Sequence, residues 1–527
     1  MPLKKGNRFP LLLCLGIILF WAIGFRFYQL DRLPFGFHGD EACVGLDAAL
    51  ILKKGWIGPY TGRAVGQPTG PIYLTAFSIA TLGSNPYAVR LVSAVFGVLA
   101  VIAFYGLLQS RFGPEAGLTG MALLAISTWS IHFSRVGFPL GVWPFFGIIA
   151  LWQVDRALRT LRWCPMLLAG FAVGLGIYVY NAHYLFVLIV SGYVFFHLGV
   201  DFDTPWIKRL RGMGLYAVSL GITAYPMYHF YRLHSKLFLH HFQSASIFRS
   251  TGWGNCVSTW DQTQFLLERY FGFWRWVVFP SFTDRVDGTG ITAVIPWFLL
   301  VCAVYGMKRA WALAREPLIR LAFLMVVLLP LSVVFSMEAM ARRPFLLLIA
   351  LLIFAALGIS AFFQRFSGWP KKSRWLVQGA CGMLLAFAFV RESAVYFRKL
   401  QEDNRVGWVF CEELVRAIDY MKGVPGGTQV YFCSDRWSLR YETVQFLAPQ
   451  LRAMEGKAIL AETLKNKAYP GRGVFVLEQS YRIHLNALLS IFPAVTVIYG
   501  IPTASEKWKA FQNPNYLPQP SFIAIQF

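Results

Sequence analysis

The sequence has little charge, and acidic residues are especially scarce. Charged side chains make up 14% of the 527 residues, and 49 Lys and Arg stand against 26 Asp and Glu. Hydrophobic residues reach 56%, aromatic residues reach 17%, and the mean hydropathy is +0.51. A soluble protein of this length needs far more polar surface to cover its core, so the composition indicates a membrane protein.

The sequence also lacks the motifs of several other classes of protein, such as zinc fingers, nucleotide-binding proteins and repeat proteins. The eight cysteines show no C-x-x-C spacing and no histidine at metal-finger distance. There is no glycine-rich phosphate loop, low-complexity tract or internal repeat. The net charge of +23 would suggest nucleic acid in a soluble chain, but here the basic residues lie largely in short loops between apolar runs. We therefore expect no nucleic-acid partner, and we leave open a disulfide between Cys411 and Cys433.

Apolar runs recur along most of the chain. A spanning helix needs about 20 mostly apolar residues, and about eleven segments meet this need. They are residues 9–28, 88–109, 116–133, 140–157, 165–179, 184–200, 215–230, 291–307, 318–335, 345–362 and 375–395. The first has no small-residue cleavage site, so it reads as a retained signal anchor. The sequence thus predicts a multi-pass α-helical protein of the cell inner (plasma) membrane.

The basic residues predict the orientation of these spans. Lys and Arg cluster at the N-terminus and in alternate loops, at residues 156–162, 208–211, 308–315 and 371–374. Because cytoplasmic loops carry an excess of Lys and Arg, one topology places all of these clusters in the cytoplasm. The opposite, extracytoplasmic side then receives the loops 29–73 and 234–288, the turn 336–344 and the C-terminal tail.

The chain is predicted to contain two domains, a transmembrane domain over residues 1–398 and a soluble extracytoplasmic α/β domain over residues 399–527. In the tail, strand-like runs alternate with helical stretches at residues 408–421 and 483–489. The strand-like runs are residues 429–433, 473–477, 496–499 and 522–526.

The segment Phe37-His38-Gly39-Asp40-Glu41-Ala42 in the first outer loop is the sharpest local feature. Asp40 and Glu41 have two interpretations. Asp40 can cap the helix that follows while Glu41 favours its first turn. Alternatively, a carboxylate at the membrane surface can serve as the general base that deprotonates an acceptor hydroxyl.

Further along the chain come Gly66-Gln67-Pro68-Thr69-Gly70-Pro71-Ile72-Tyr73, then Ala88-Val89-Arg90-Leu91 and His132-Phe133-Ser134-Arg135. In this order the segments resemble the GT-C class of membrane glycosyltransferases, specifically the protein O-mannosyltransferase and aminoarabinose-transferase superfamily. The resemblance covers about the first two hundred residues well, the later spans loosely, and the tail not at all.

The resemblance implies that Asp40 is the catalytic base, that Glu41 is a supporting acid, and that the donor is a sugar on a polyprenyl phosphate. The leaving lipid phosphate needs a cation near the outer surface. Arg342 and Arg343 supply one before a late helix, where family members often carry an Arg that contacts the donor phosphate. An interfacial snorkelling role is the alternative for one of them. Arg135 is a further candidate for the phosphate.

Other polar residues on the predicted outer side are candidates for the substrate pocket: His38, His132, Tyr180, Asn181 and His183. For His132 and His183 a structural role is the competing interpretation. No metal site or cofactor is predicted. Many relatives carry an acidic residue shortly after the Ser-Arg pair, whereas Val136-Gly137-Phe138-Pro139 stands here, and a divalent ion would want several oxygen ligands.

Three functions remain open from the sequence. The first is a glycosyltransferase that moves a hexosyl or pentosyl group to a lipid, glycan or protein acceptor. The second is a transporter or flippase for a lipid-linked sugar. Many transporters consist of two matching halves with helices interrupted by Gly or Pro, and this sequence shows no such symmetry. The third is a non-catalytic assembly subunit on a GT-C scaffold, against which the intact Asp40-Glu41 pair argues.

Overall fold

The computed structural model describes residues 8–279, 287, 293, 295–338, 340–366, 368–468, 473–513 and 517–527. Its α-helices are α1 (Arg8–Phe27), α2 (Gly39–Lys54), α3 (Gly70–Leu82), α4 (Pro86–Phe112), α5 (Pro114–Ile126), α6 (Thr128–Phe133), α7 (Trp143–Thr160), α8 (Trp163–Leu175), α9 (His183–Val200), α10 (Trp206–Leu233), α11 (Ser235–Ala245), α12 (Thr251–Gly254), α13 (Thr259–Val278), α14 (Trp297–Ala310), α15 (Pro317–Leu328), α16 (Leu331–Val334), α17 (Leu346–Arg365), α18 (Lys371–Ala394), α19 (Asn404–Val409), α20 (Glu412–Lys422), α21 (Glu442–Leu447), α22 (Lys457–Asn466), α23 (Leu485–Ile491) and α24 (Ala504–Gln512).

Several of these helices are membrane-spanning by length and composition. Within the described residues, five are long and apolar enough: Pro10–Phe27, Pro86–Phe112, His183–Val200, Pro317–Val334 and Leu346–Arg365. Shorter apolar helices are Gly70–Leu82, Pro114–Ile126 and Trp163–Tyr178. The helical membrane architecture agrees with the sequence, while the total of about eleven spans stays a prediction.

The chain divides into two compact units. One contains Met1–Tyr28, Lys54–Leu74 and Arg90–Tyr396, and includes most of the apolar helices. The other contains Gln29–Lys53, Thr75–Val89 and Phe397–Phe527. Residues 29–53, the first half of the predicted outer loop 29–73, thus belong to the same compact unit as the tail.

The tail contains a five-stranded sheet. Its strands follow the short hairpin of β1 (Tyr60–Thr61) and β2 (Gln67–Pro68), and are β3 (Gln429–Cys433), β4 (Ala453–Glu455), β5 (Gly473–Leu477), β6 (Thr496–Tyr499) and β7 (Ile523–Gln526). The order is β4-β3-β5-β7-β6, with β3 parallel to β4 and β5, and β7 antiparallel to β5 and β6. Four of the strands occur where the sequence predicts them, and β4 was not predicted.

Both faces of this sheet are covered. Val430 and Phe432 point into one core with Leu414 and Ile418 of α20, whereas Tyr431 packs on the opposite side with Leu460 of α22. Side chains alternate between faces along a strand, so burial of both faces gives the near-continuous apolar runs seen in β3 and β5.

The disulfide left open by the sequence is not formed. Cys411 and Cys433 are both free and buried in the tail. Burial raises the pKa of both thiols, to about 12 for Cys433, so both are packed as neutral groups.

Candidate functional site

The first candidate site lies at the start of α2. His38 takes the N-cap position: its Nδ1 accepts the backbone N–H of Asp40 at 2.9 Å, and its carbonyl oxygen accepts the N–H of Ala42 at 3.0 Å. In return, Oε2 of Glu41 accepts the backbone N–H of His38 at 3.1 Å. This reciprocal exchange is a capping box in which an imidazole replaces the usual hydroxyl.

Asp40 is therefore not the residue that caps α2. Its side chain is 44% exposed, and its carboxylate forms no hydrogen bond with the residues that the structure describes. His38 Nδ1 lies 3.8 Å from Oδ2 of Asp40. That nitrogen already accepts an N–H, so it carries no proton and the contact is not an ion pair. The Asp40 carboxylate is thus available to accept a proton from a substrate.

Glu41 differs from Asp40 in its surroundings. Its side chain is fully buried, and Oε2 is engaged by the backbone of His38. The predicted supporting acid therefore holds the loop in shape, and the predicted pocket residue His38 does the same from the other side of the cap.

The C-terminal tail holds the segment before this cap, within the same compact unit. The N–H of Phe37 donates to the carbonyl oxygen of Phe410 at 2.6 Å, and Oγ1 of Thr443 donates to the carbonyl oxygen of Phe37 at 3.2 Å. The ring of Phe37 stacks on Phe446, with centroids 5.4 Å apart. Both backbone polar groups of Phe37 are thus bonded to the tail, which fixes where α2 begins.

Tyr441 contacts the loop at Gly39, next to Asp40. A Cβ atom added to Gly39 would lie 2.6 Å from the Tyr441 hydroxyl, so only glycine permits this approach. Burial raises the pKa of Tyr441, and the negative charge of Asp40 adds to the effect. Tyr441 is therefore a protonated hydroxyl beside the candidate base, and nothing in the local sequence signalled it.

The second candidate site belongs to the other compact unit and contains the two late arginines. The backbone N–H and Nη1 of Arg342 both donate to the carboxylate of Asp287, each at 3.1 Å. Asp287 is fully buried. Arg342 therefore serves as the counter-ion of a buried carboxylate.

Arg343 lacks such a partner. Its guanidinium forms no hydrogen bond with the described residues, and its Nε is buried. Burial lowers the pKa of Arg343, while the nearby Tyr180, Asp287 and Glu338 oppose that shift. Partial burial of a guanidinium whose N–H donors are unused costs free energy unless an anion accepts hydrogen bonds from them. The structure thus separates the two arginines, which the sequence did not.

His241 is a neighbour of Arg343 that was not among the predicted site residues. Burial lowers the pKa of His241 from its usual 6.5 to about 4, and the positive charge of Arg343 adds to the shift. The sequence shows only that His241 follows His240, and an adjacent histidine pair of this kind is a weak signal for a metal site.

Asn181 connects to one of the motifs that carry the family resemblance. Its Nδ2 donates to the carbonyl oxygen of Gly66 at 3.0 Å, while its Oδ1 is buried without a hydrogen-bond partner among the described residues. The ring of Tyr180 packs on Trp143 at 5.1 Å between centroids. The predicted pocket residues Tyr180 and Asn181 thus lie in the same compact unit as Arg343. Tyr180 is close enough to Arg343 to affect the pKa of its guanidinium.

Arg135 has a structural task in this unit. Its Nη1 and Nη2 donate to the carbonyl oxygens of Phe25 at 2.8 Å and Tyr28 at 2.6 Å, at the C-terminal end of α1. Its guanidinium also lies 5.6 Å from the ring centroid of Tyr396. The last carbonyls of a helix attract a cation, so these contacts explain Arg135 without a phosphate.

The two remaining histidines are fully buried. Nδ1 of His183 accepts the indole N–H of Trp143 at 2.8 Å, and Nε2 lies 2.8 Å from the carbonyl oxygen of Val173. Both nitrogens are therefore used and the ring is neutral. His132 packs beside the rings of Phe133 and Tyr396, with centroid distances of 5.2 and 6.0 Å.

Comparison with known proteins gives matches in sequence and in fold. The family described as dolichyl-phosphate-mannose-protein mannosyltransferase matches residues 66–222. The undecaprenyl phosphate-alpha-4-amino-4-deoxy-L-arabinose arabinosyl transferase of Pseudomonas savastanoi pv. phaseolicola is 27% identical over 155 residues. That match covers 27% of this chain and spans 29% of the relative.

Solved structures extend the likeness along the chain. ArnT from Cupriavidus metallidurans in the apo state has a TM-score of 0.52 at 12% identity, covering 98% of this chain and 97% of ArnT. The same enzyme bound to undecaprenyl phosphate has a TM-score of 0.50. The archaeal oligosaccharyltransferase AglB from Archaeoglobus fulgidus, in complex with an inhibitory peptide and a dolichol-phosphate, has a TM-score of 0.50 at 14% identity, covering 92% of this chain and 71% of AglB.

The family match begins at Gly66, the first residue of one of the motifs quoted from the sequence, and includes Arg90 and Arg135. The fold match includes the C-terminal tail, for which the sequence offered no resemblance. The predicted resemblance is therefore confirmed: this multi-pass membrane protein is similar to the GT-C class of membrane glycosyltransferases, in sequence over residues 66–222 and in fold over nearly its whole length.

Proposed function

We propose that this protein transfers a hexosyl or pentosyl group from a polyprenyl-phosphate donor to an acceptor hydroxyl on the extracytoplasmic side of the cell inner membrane. The main support for the proposal is that the residues that cap α2 differ from the residue whose carboxylate is exposed. His38 and Glu41 close the cap, and Asp40 keeps a 44% exposed carboxylate without a hydrogen bond in the described part of the chain.

Asp40 acts as the general base in this proposal. Its carboxylate takes the proton of the acceptor hydroxyl while the acceptor oxygen attacks C1 of the sugar. The bond between C1 and the phosphate oxygen breaks, and the polyprenyl phosphate leaves with that electron pair. The products are the glycosylated acceptor and a polyprenyl phosphate, and the proton remains on Asp40 until it is lost to water.

Arg343 binds the donor phosphate in this proposal. Its unused guanidinium donors match an anion with several acceptor oxygens, and charge-assisted bonds of this kind strengthen as the leaving phosphate gains charge. Arg342 is occupied by Asp287 and orders the segment before α17. Because Arg343 supplies the positive charge, the scheme requires no metal ion or cofactor.

The test is a transfer assay on the purified full-length protein in lipid vesicles. The donors are a panel of undecaprenyl-phosphate sugars with a label in the sugar, and the acceptors are lipid, glycan and peptide fractions tested separately. We expect release of undecaprenyl phosphate together with label on one acceptor fraction, and loss of both in Asp40→Asn. A wild-type protein that moves the donor across the bilayer without cleaving it would instead establish a flippase.

A further inference from the structure

The C-terminal tail contains a cavity that has no part in the scheme above. It has a volume of about 240 Å³ and lies wholly within the second compact unit. Four cationic side chains line it: Arg405, Arg436, Arg482 and Lys509. Two carboxylates, those of Glu413 and Glu506, also line it, so four positive charges less two negative charges leave an excess of two positive charges.

Arg436 is held in a fixed orientation inside this cavity. Its guanidinium carbon lies 3.5 Å from the ring centroid of Trp408 and 4.3 Å from that of Trp437. Nη2 donates to the carbonyl oxygen of Trp408 at 2.6 Å, and the other guanidinium nitrogens form no hydrogen bond with described residues. Stacking between two indoles orders the planar group in advance, so little side-chain entropy is lost when it binds an anion.

Arg482 offers a second set of unused donors. Its Nη2 bonds to the carbonyl oxygen of Pro520, but its Nε is buried without a partner among the described residues. Burial lowers the pKa of both Arg436 and Arg482. Two partly desolvated guanidiniums around one cavity would be stabilised by an anion between them.

The cavity also offers an aromatic surface. Trp408 is 62% exposed although it lies at the cavity wall, whereas Trp437 is 4% exposed and belongs to the core of the tail. An exposed indole beside a polar, cationic pocket suits a ligand with an apolar ring face and a polar edge. A sugar ring has this character, and the volume fits about one sugar unit with a small substituent.

We propose that this cavity is a binding site for an anionic saccharide, with the sugar ring against Trp408 and its carboxylate or phosphate between Arg436 and Arg482. The site is distinct from the residues assigned to sugar transfer, and its existence does not depend on that proposal.

Glu413 gives the site a pH dependence. Burial raises the pKa of Glu413 to about 7, an effect that Arg482 and Arg436 oppose and that Glu478 and Glu412 reinforce. Protonation of Glu413 removes one negative charge from the lining. The affinity for an anion should therefore increase as the pH falls from 8 to 6.

Binding to the full-length protein in detergent micelles tests the proposal. The probes are glucuronate, glucose 1-phosphate and glucose, so that a carboxylate source, a phosphate source and a neutral sugar are compared by calorimetry or ligand-observed NMR. We expect at least one acidic probe to bind about tenfold more tightly than glucose, as one charge-assisted hydrogen bond would give. Equal binding of all three probes, or no binding of any, overturns the proposal.

Four substitutions test the position of the site and its pH dependence. Arg436→Gln and Trp408→Ala should each weaken the acidic probe about tenfold or more, while the exposed Arg440→Gln, in the same domain but outside the cavity, should leave it unchanged. Glu413→Gln should tighten glucuronate binding at pH 8 and remove its dependence on pH between 6 and 8, a range in which the glucuronate carboxylate stays ionised. Unchanged binding in folded Arg436→Gln overturns the site. Sugar transfer by the same variants is measured separately, so either proposal can fail alone.

Discussion

The imidazole of His38 accepts the backbone N–H of Asp40 through Nδ1 at 2.9 Å, and this bond removes Asp40 from the cap of α2. The sequence His38-Gly39-Asp40-Glu41 alone suggests that Asp40 caps the helix, because Asp is among the preferred N-cap residues. In the folded chain the capping task falls to His38 and Glu41, so loss of the cap and loss of the base can be tested by different substitutions.

Replacement of Asp40 should affect turnover much more than stability. Asp40→Asn removes the basic oxygen but keeps the shape, so we expect transfer to fall about a hundredfold or more with donor binding retained. Asp40→Ala should also leave the melting temperature nearly unchanged, because the side chain makes no hydrogen bond in the described structure. Transfer and thermal unfolding are measured on the same preparations.

Two controls accompany these variants. Asp31→Asn changes an exposed carboxylate of the same predicted outer loop and should leave both transfer and thermal unfolding unchanged. His38→Ala should reduce stability by about 1 kcal/mol, the usual loss for an N-cap. Near-normal transfer by Asp40→Asn would reject Asp40 as the base.

The two late arginines should behave differently. Arg343→Ala should weaken binding of undecaprenyl phosphate about tenfold or more, and Arg343→Lys should recover only part of it because an ammonium lacks the planar fork. Arg342→Ala removes the ion pair to the buried Asp287, so its main effect should be a stability loss on the order of 3 kcal/mol. Equal donor binding by wild type and Arg343→Ala would exclude the phosphate role.

The contact between Gly39 and Tyr441 should be visible in a double-mutant cycle. Gly39→Ala places a methyl group 2.6 Å from the Tyr441 hydroxyl, so we expect lower stability and slower transfer as the cap shifts. Tyr441→Phe removes that oxygen, and the double variant should recover part of both losses. Strictly additive effects would mean that the two residues do not touch in the working protein.

The stability of the compact unit that contains Arg90–Tyr396 should fall in mild acid because of His241. The folded protein keeps this ring neutral down to a pKa of about 4, whereas the unfolded chain binds a proton near the usual 6.5. Between these values the unfolded state binds more protons, so lowering the pH favours unfolding. We expect the melting temperature to drop less between pH 7 and 5 in His241→Asn than in wild type. In the control His240→Asn, which changes an exposed side chain, the drop should equal that of wild type.

The predicted orientation has a direct test with reporter fusions. Alkaline phosphatase, which is active only outside the cytoplasm, should work when fused after Phe527 or within residues 244–260. It should be inactive when fused at Lys208 or Lys372, because the excess of Lys and Arg in these loops predicts that they are cytoplasmic. An active fusion at Lys208 would reverse the predicted topology and the location of the proposed site.

Local patterns determined much of the fold. The strands β3, β5 and β6 were predicted at their observed bounds because a run of mostly apolar residues between polar turns is visible in the sequence without its partner strands. Strand β4 escaped prediction because it has three residues, none of them buried, and owes its conformation to pairing with β3. The spans followed from apolar length, although adjacent short helices such as α5 and α6 blur their count.

Hydrophobic length and side-chain alternation are local properties, so the order of the residues was enough to indicate a multi-pass helical membrane protein with a tail of mixed helices and strands. Which polar side chains remain available for chemistry became visible in the folded chain alone. Thr443 bonds to Phe37 across 406 positions, and Arg342 rather than Arg343 bonds to Asp287. A side chain's availability depends on partners that are distant in the chain, and folding alone brings them within hydrogen-bond distance.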